Sequence, residues 1–287
     1  MRHPSGIEEL HPSQEWWLVQ ELSNHRDENA YLLGLLSDYT LAGLIRMPWG
    51  RFYRPGNGVG KGVFYGDITG LVVASGANDR GAETFARLVV NDGLFMNRII
   101  SASEQTLLLH EALAQEDSRW TLVQNRFEEY AMRLVPTDLP DEREPRLRIA
   151  DMHQARAVAQ GSARAMREEI EVEAKGEEFE RLVRSKLDLI QRRRYYILEE
   201  AGEIRFQAYL SACLPDVGQI QGVWVPPEHR NRGIATRCLA EMCRRCLAAS
   251  DHLVLRVQKR NLAALAVYRK IGFAPFKDSL SIWYQTR

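Results

Sequence analysis

The sequence predicts a mixed α/β chain of the α+β kind, in two domains, and three observations predict it. Its 287 residues are more than one domain of about 150 residues uses. A charged, proline-rich stretch, PTDLPDEREPRLR at Pro136–Arg148, falls near the middle; proline removes backbone donors and biases the preceding residue away from helix. The second half closes on a strand–loop–helix–strand–helix run, and mixed elements in that order mark an α+β or α/β layout. The expected domains are therefore residues 1–135 and 149–287, with 136–148 as the linker.

In the first half, helices are expected over Ser13–Asn24 and Glu28–Tyr39, followed by a loop rich in Gly and Arg. Val63–Tyr65 and Leu71–Ala74 read as a hairpin joined through Gly66 and Asp67. A helix starts near Ala82, a strand runs over Phe95–Ile100, and Ser101 with Glu104 has the spacing of a capping box that opens the next helix. Strands near Trp120–Val123 and Tyr130–Leu134 close the half.

The second half opens with helices near Met152–Gln160 and Glu177–Gln191. Tyr195–Glu199 and Ile204–Ala212 pair through a turn at Ala201-Gly202, and Gln219–Val225 follows. A helix over Gly233–Ala248, a strand Leu253–Val257, a helix Leu262–Ile271 and a strand Leu280–Tyr284 complete it. The two halves share a loose order of elements without any residue-level repeat.

Composition excludes several classes. Hydrophobic residues make up 45% and charged residues 26%, as in an average globular protein, and a chain of this size buries enough surface to need no disulfide or metal staple. The 38 basic and 38 acidic residues cancel, against a broadly basic nucleic-acid surface, because phosphate affinity needs excess cations. The longest apolar runs, such as Leu71–Ala74, fall far short of the ~20 residues that span a bilayer. Met1–Pro12 carries charges and two prolines where a signal peptide has an apolar core. Four cysteines, three within Cys238–Cys246, make no disulfide framework. A reducing, cytoplasmic location is the expectation, with neither a membrane nor a nucleic acid as partner.

Chemistry concentrates after Val225, in PPEHRNRGIAT at Pro226–Thr236. A strand ends, Gly233 and Ala235 leave room for a ligand, and a helix begins. The first N–H groups of a helix lack internal partners and its dipole makes that end positive, so it is an anion site. Arg230, Arg232 and Arg237 add guanidinium groups that match phosphate. A solvated turn is the bland alternative. Downstream stand Asn261, Ala264, Tyr268, Gly272 and Phe273.

Arg230-x-x-Gly233-x-Ala235 resembles the acyl-CoA pyrophosphate loop of the GNAT N-acetyltransferase superfamily, and the run from Asn261 to Phe273 resembles its second signature. The likeness covers roughly 146–287. The first half, with Gly76-Ala77-Asn78 and 122–134, is similar to an uncharacterised domain fused ahead of GNAT modules in bacteria. That likeness implies a degenerate GNAT-like half without an acetyl-CoA loop.

The resemblance implies a central mixed sheet flanked by helices, with acetyl-CoA as co-substrate and no metal. Val223, Trp224 and Val225 would offer main-chain groups to pantetheine, and the N–H groups of Asn231, Arg232, Gly233, Ile234, Ala235 and Thr236 would cradle the pyrophosphate. Tyr268 would protonate the departing thiolate; its other reading is a core tyrosine in the stripe Ala264, Val267, Tyr268, Ile271. Asn261 reads as a helix N-cap with a CoA contact in addition, and Gly272 as a C-cap. Gln219 stands where many family members have a glutamate base. A water or another acid must then serve; Glu168, Glu169 and Glu171 border the expected acceptor cleft but read first as a solvated acidic helix face. His229 reads as a surface residue.

Other signals are discounted. Cys243-x-x-Cys246 with Cys238 imitates zinc ligands, but Ala235, Leu239, Met242, Cys243 and Cys246 recur at helical spacing as one buried face. Gly76–Gly81 lacks the endings of nucleotide loops and reads as a turn. Arg192–Arg194 reads as a solvated helix end or a contact for an acidic acceptor. Cys213 is the one nucleophile that a covalent route would test. The expected activity is direct transfer of an acetyl or acyl group to a small-molecule amine or a protein amino group. The alternative is an acyl-CoA-binding sensor without turnover.

Overall fold

The structure, a computed structural model, describes residues 6–285 apart from 48 and 57; the first five residues of the first expected domain and of the Met1–Pro12 stretch, and the last two of the second domain, lie outside the described residues. It divides into two compact units. One comprises Met1–Ala131, Arg256–Asn261 and Pro275–Arg287; the other comprises Met132–Leu255 and Leu262–Ala274.

The chain begins with β1 (Ile7–Glu9), α1 (Glu15–Ser23), α2 (Ala30–Arg46), β2 (Gly50–Pro55), β3 (Val63–Asp67) and β4 (Leu71–Ser75). There follow α3 (Asp79–Asn91), β5 (Arg98–Ala102), α4 (Ser103–Glu116) and β6 (Val123–Leu134). Next come β7 (Arg148–Ile149), α5 (Ala155–Ile170), α6 (Gly176–Gln191), β8 (Tyr195–Glu200), β9 (Glu203–Cys213) and β10 (Val217–Trp224). The chain closes with α7 (Ile234–Cys246), β11 (His252–Gln258), α8 (Leu262–Ile271) and β12 (Ala274–Tyr284).

In the first unit the strands run β1-β2-β3-β4-β5-β12. β1 to β4 are antiparallel neighbours, and β4 and β5 are parallel but register only at Leu71–Arg98 and Val72–Ile99. β12 lies antiparallel to β5, from Ser279 opposite Ala102 to Trp283 opposite Arg98. The sequence reading gave all of 149–287 to the second domain, whereas this pairing carries the last strand into the first unit. A core of Phe64, Phe85, Ile99, Leu109, Leu113, Leu280 and Ile282 fills it. Phe64 and Phe85 stack with ring centroids 4.4 Å apart.

In the second unit the strands run β7-β8-β9-β10-β11. β7 to β10 are antiparallel neighbours, and β10 and β11 are parallel. α5 and α6 cover β8 through Val158, Ile190, Tyr195 and Ile197. The expected linker is anchored in this unit: Arg244 donates to the carbonyls of Pro140 (2.7 Å) and Glu142 (3.3 Å), and Arg245 to that of Leu147 (2.7 Å). Glu144 is buried beside Arg146 and Arg237.

The hairpin forms with Gly66 and Asp67 inside β3 rather than in its turn; the helix over Leu262–Ile271 and the strands of the second half stand, the last of them starting earlier, at Ala274. Four further expectations are corrected. Ser101 does not open a helix: it lies within β5, its hydroxyl accepts the Ala74 N–H at 2.8 Å, and α4 begins at Ser103 without a side-chain cap. The two short strands at Trp120–Val123 and Tyr130–Leu134 are a 3-10 turn, Ser118–Thr121, and one long strand, β6. The strand expected at Phe95–Ile100 runs over Arg98–Ala102, because Phe95 is exposed and Ile99 carries the buried position. The second helix does not end at Tyr39; it breaks at Thr40, φ 57°, and resumes to Arg46.

Candidate active site

The second unit's parallel strands part early. β10 and β11 pair only at Val217–His252, Gly218–Leu253 and Gln219–Val254. Beyond Gln219, β10 shifts register against β9 at Gln219/Ile220 and again between Gln221 and Trp224, where Gly222 takes φ +64°. Bulges bend a strand and free backbone groups from the ladder, so the stretch Ile220–Trp224 runs without registered partners on the β11 side. Val223 is half-buried, and Trp224 and Val225 are buried.

The loop after this strand begins α7 without a side-chain cap, with Gly233 at the N-cap in the left-handed region (φ +71°). Asn231 takes the same region, φ +61°. An added Cβ at Gly233 would meet the Arg237 Nη1 at 3.0 Å, so the glycine serves the backbone turn and the space above it. The first intrahelical bond runs from the Arg237 N–H to the Gly233 carbonyl at 3.2 Å. The N–H groups before it therefore open the helix at its positive end.

The arginines divide their work. Arg230 donates its Nε–H to the Val225 carbonyl at 3.0 Å and pairs with Glu168 on α5, so it staples the loop to that helix. Arg232 donates to the Glu228 carbonyl at 3.2 Å, and Arg237 to the Arg232 carbonyl at 3.1 Å. Arg164 lies 5.1 Å over the Trp224 ring and 3.4 Å from Glu228. These long-range partners, Arg164 and Glu144, carry no sequence signal. Trp224 Nε1 and His229 Nδ1 are buried without a partner among the described residues, although His229 Nε2 lies 3.4 Å from Glu203.

Tyr268 is buried, with Phe273 edge-on at 6.0 Å. Burial, then the charge of Glu169 and the neighbouring Cys243, hold its phenol well above the ordinary tyrosine range, so it keeps its proton at neutral pH. The carbonyl of Tyr268 accepts the Phe273 N–H at 3.0 Å, and Gly272, φ +106°, closes the helix. Asn261 directly precedes α8, and its N–H bonds the Gln258 carbonyl at 2.9 Å. Gln219 is buried on β10; Glu168, Glu169 and Glu171 are exposed. Cys213 is half-buried, while Cys238, Cys243 and Cys246 lie inside α7's packed face, where burial pushes the Cys238 thiol up to about 12. Ala235 is only half-buried there, and Ile234 and Thr236 are buried instead.

The parted strand, the uncapped helix start and Tyr268 on the next helix all belong to the second unit. Residues 161–273 match the model of the family described as Acetyltransferase (GNAT) family. This segment is a GNAT domain. No protein of curated function matches the chain. Solved structures share the fold over nearly its whole length. A GNAT-family acetyltransferase from Colwellia psychrerythraea has 12% identity and a TM-score of 0.55, covering 97% of this chain and 99% of that one. A GCN5-related N-acetyltransferase from Sphaerobacter thermophilus has 14% and 0.62, covering 98% and 96%. A tandem GNAT protein from the clavulanic acid biosynthesis pathway has 12% and 0.59, covering 98% and 99%.

At the matching turn of the first unit, β4 to α3, the helix start is closed. Asn78 caps α3 through the Gly81 N–H at 3.0 Å and also accepts the Lys61 N–H at 2.8 Å. Gln105 brackets Ala77, accepting its N–H at 2.7 Å and donating to its carbonyl at 3.2 Å. Among the described residues no group of three or more His, Cys, Asp or Glu could hold a metal ion, and no helix is long and apolar enough to cross a membrane.

Proposed function

We propose that the GNAT domain transfers an acetyl or acyl group from acetyl-CoA to an amine, a small molecule or a protein amino group, in the cytoplasm. The observation that carries this is the uncapped start of α7 directly after a parallel strand that has left its neighbour. It fits the co-substrate: backbone N–H groups from Asn231 to Thr236 suit a pyrophosphate, and the main chain of Val223–Val225 suits an extended amide arm. Arg232 and Arg237 supply positive charge, and Arg230 holds the loop in place through Glu168. A CoA contact from Asn261 would add to its place at the head of α8.

The chemistry asked of this chain is modest. The neutral amine attacks the thioester carbonyl, an amide bond forms and the carbon–sulfur bond breaks. Tyr268 gives its proton to the departing thiolate, and the proton lost by the amine returns to the phenolate through solvent. Burial keeps Tyr268 protonated for that role. Gln219 cannot take a proton, so the acceptor enters neutral or passes its proton to water. The transfer is direct, in a ternary complex of acyl-CoA and amine.

Gln219 also favours a second reading, an acyl-CoA-binding sensor without turnover. Calorimetric titration of the chain with acetyl-CoA, beside Gly233→Glu, tests the site common to both: micromolar binding, lost in the variant, is expected. A folded wild type that does not bind acetyl-CoA overturns both readings. Binding without transfer to any amine in a broad acceptor screen selects the sensor.

A further inference from the structure

Where β4 and β5 part, the first unit holds a cavity of about 60 Å³, walled by the end of β4, the start of α4, the residues before α2, and Arg256. At ~10–15 Å³ for each water centre, that is room for about four to six non-hydrogen atoms. A nucleotide is far too large for it.

The groups around it carry both signs. Arg256 donates to the Glu28 carbonyl at 3.2 Å. Two carboxylates attract its guanidinium, Glu129 first and then Glu28. Burial raises the Glu129 carboxyl above the usual range, and its Oε2 is buried without a hydrogen-bond partner among the described residues. Burial also lowers the pKa of Arg256 itself, and a desolvated cation is costly unless it is paired. On the adjoining wall α4 starts with Ala102 at its N-cap and no side chain over its first N–H groups, a second positive element. Opposite in sign is Glu28, half-buried, 3.8 Å from the exposed His25 ring and within electrostatic reach of Arg256 and Lys277. Glu104, on the lining, already meets Lys277 at 2.6 Å. Ser75 is buried at the floor, its hydroxyl accepting from Asn29 at 2.8 Å.

We propose that this cavity binds a small zwitterion, an α-amino acid of the size of glycine or alanine. Its carboxylate meets Arg256 and the start of α4, and its ammonium meets Glu28. A plain carboxylate would set its charge beside Glu28, and a plain amine would set its charge beside Arg256; one ligand bearing both charges meets each with its opposite. The site belongs wholly to the first unit and does not rest on acetyl transfer, so failure of acetyl-CoA to bind leaves it standing.

Thermal unfolding of the full chain tests it, with glycine, L-alanine, acetate, methylammonium and L-phenylalanine compared at equal concentration. A ligand that binds only the folded state raises Tm by mass action. Glycine or alanine is expected to raise Tm, whereas acetate and methylammonium, each carrying one charge, and phenylalanine, too large, leave it unchanged. Ser75→Leu, which fills the floor, and Arg256→Gln, which removes the cation, should each abolish the shift; if one variant does not fold, the other decides. No shift with either small amino acid, an equal shift with acetate alone, or a shift retained in a folded variant overturns the proposal.

Discussion

The two strand–loop–helix turns, β4 to α3 and β10 to α7, follow the same plan and end in opposite states. In both, a strand pairs in parallel with the next for only two or three residues before parting. In the first unit the backbone of the turn is bonded from within: Ser101 takes the Ala74 N–H, Gln105 holds Ala77, and Asn78 caps the helix. The Lys61 carbonyl comes so close that a Cβ on Gly81 would sit 1.9 Å from it. In the GNAT domain no side chain caps α7, and left-handed turns at Asn231 and Gly233 lift the chain off the helix end. An anion site is made by what is left unbonded at a helix start, and a helix after a strand does not suffice.

The sharpest way to break this comparison is to charge the open turn. Gly233→Glu puts a carboxylate among N–H groups proposed to hold pyrophosphate. Like charges brought together at a binding site cost several kcal/mol, so acetyl-CoA affinity should fall about 10³-fold, ~4 kcal/mol at ~1.4 kcal/mol per decade. The left-handed backbone adds ~1–2 kcal/mol of strain, read as a lower Tm with circular dichroism unchanged. Unaltered affinity by calorimetry would place the co-substrate elsewhere.

The closed turn is broken from the other side by Gly81→Ala. With the Lys61 carbonyl 1.9 Å from the new Cβ, loop and helix must separate. Overpacking of this kind costs typically ~1–3 kcal/mol, and denaturant unfolding should show a loss of that size. Affinity for acetyl-CoA should stay unchanged, because the loop after β10 is untouched.

Much of this contrast was legible in the residues. The loop after Val225 announces itself because glycine, small residues and arginines stand between a strand and a helix, and the Gly76–Gly81 turn was separated from it because it lacks a nucleotide-loop ending. The closing partners were not legible. Lys61, Ser101 and Gln105 reach the β4 turn across 17, 27 and 28 residues of sequence, and no local period records such contacts. Ser101 shows why: its spacing to Glu104 matches a capping box, but tertiary pairing of β5 claims it first. The last strand misled likewise, since an alternating apolar strand does not say which sheet edge it joins.

Tyr268→Phe sharpens the functional side. Removing a positioned proton donor typically costs ~10²-fold or more, but attack by the amine sets part of the barrier, so kcat should fall about 10- to 100-fold while acetyl-CoA affinity stays within about 2-fold, because a phenyl ring fills the same volume. The pH profile carries a sign: the reactive form of Tyr268 is the protonated one, and its pKa is raised, so no alkaline loss of kcat from this group should appear up to pH ~10, the ordinary tyrosine value. An alkaline limb below that value, absent in Tyr268→Phe, would show a depressed phenol and a different local environment.

The smallest expected effect asks which closing element matters. Asn78→Ala deletes the acceptor of two N–H groups, those of Gly81 and Lys61, and loss of an N-cap costs typically ~1 kcal/mol. Titration of this variant with acetyl-CoA should still saturate as the wild type does, with no additional equivalents. The reason is that the cap is one layer of several: the Lys61 carbonyl still stands over Gly81, and Ser101 still holds Ala74. A gained equivalent would mean that one side chain alone separates a closed turn from an anion site, and that the two units differ by capping more than by packing.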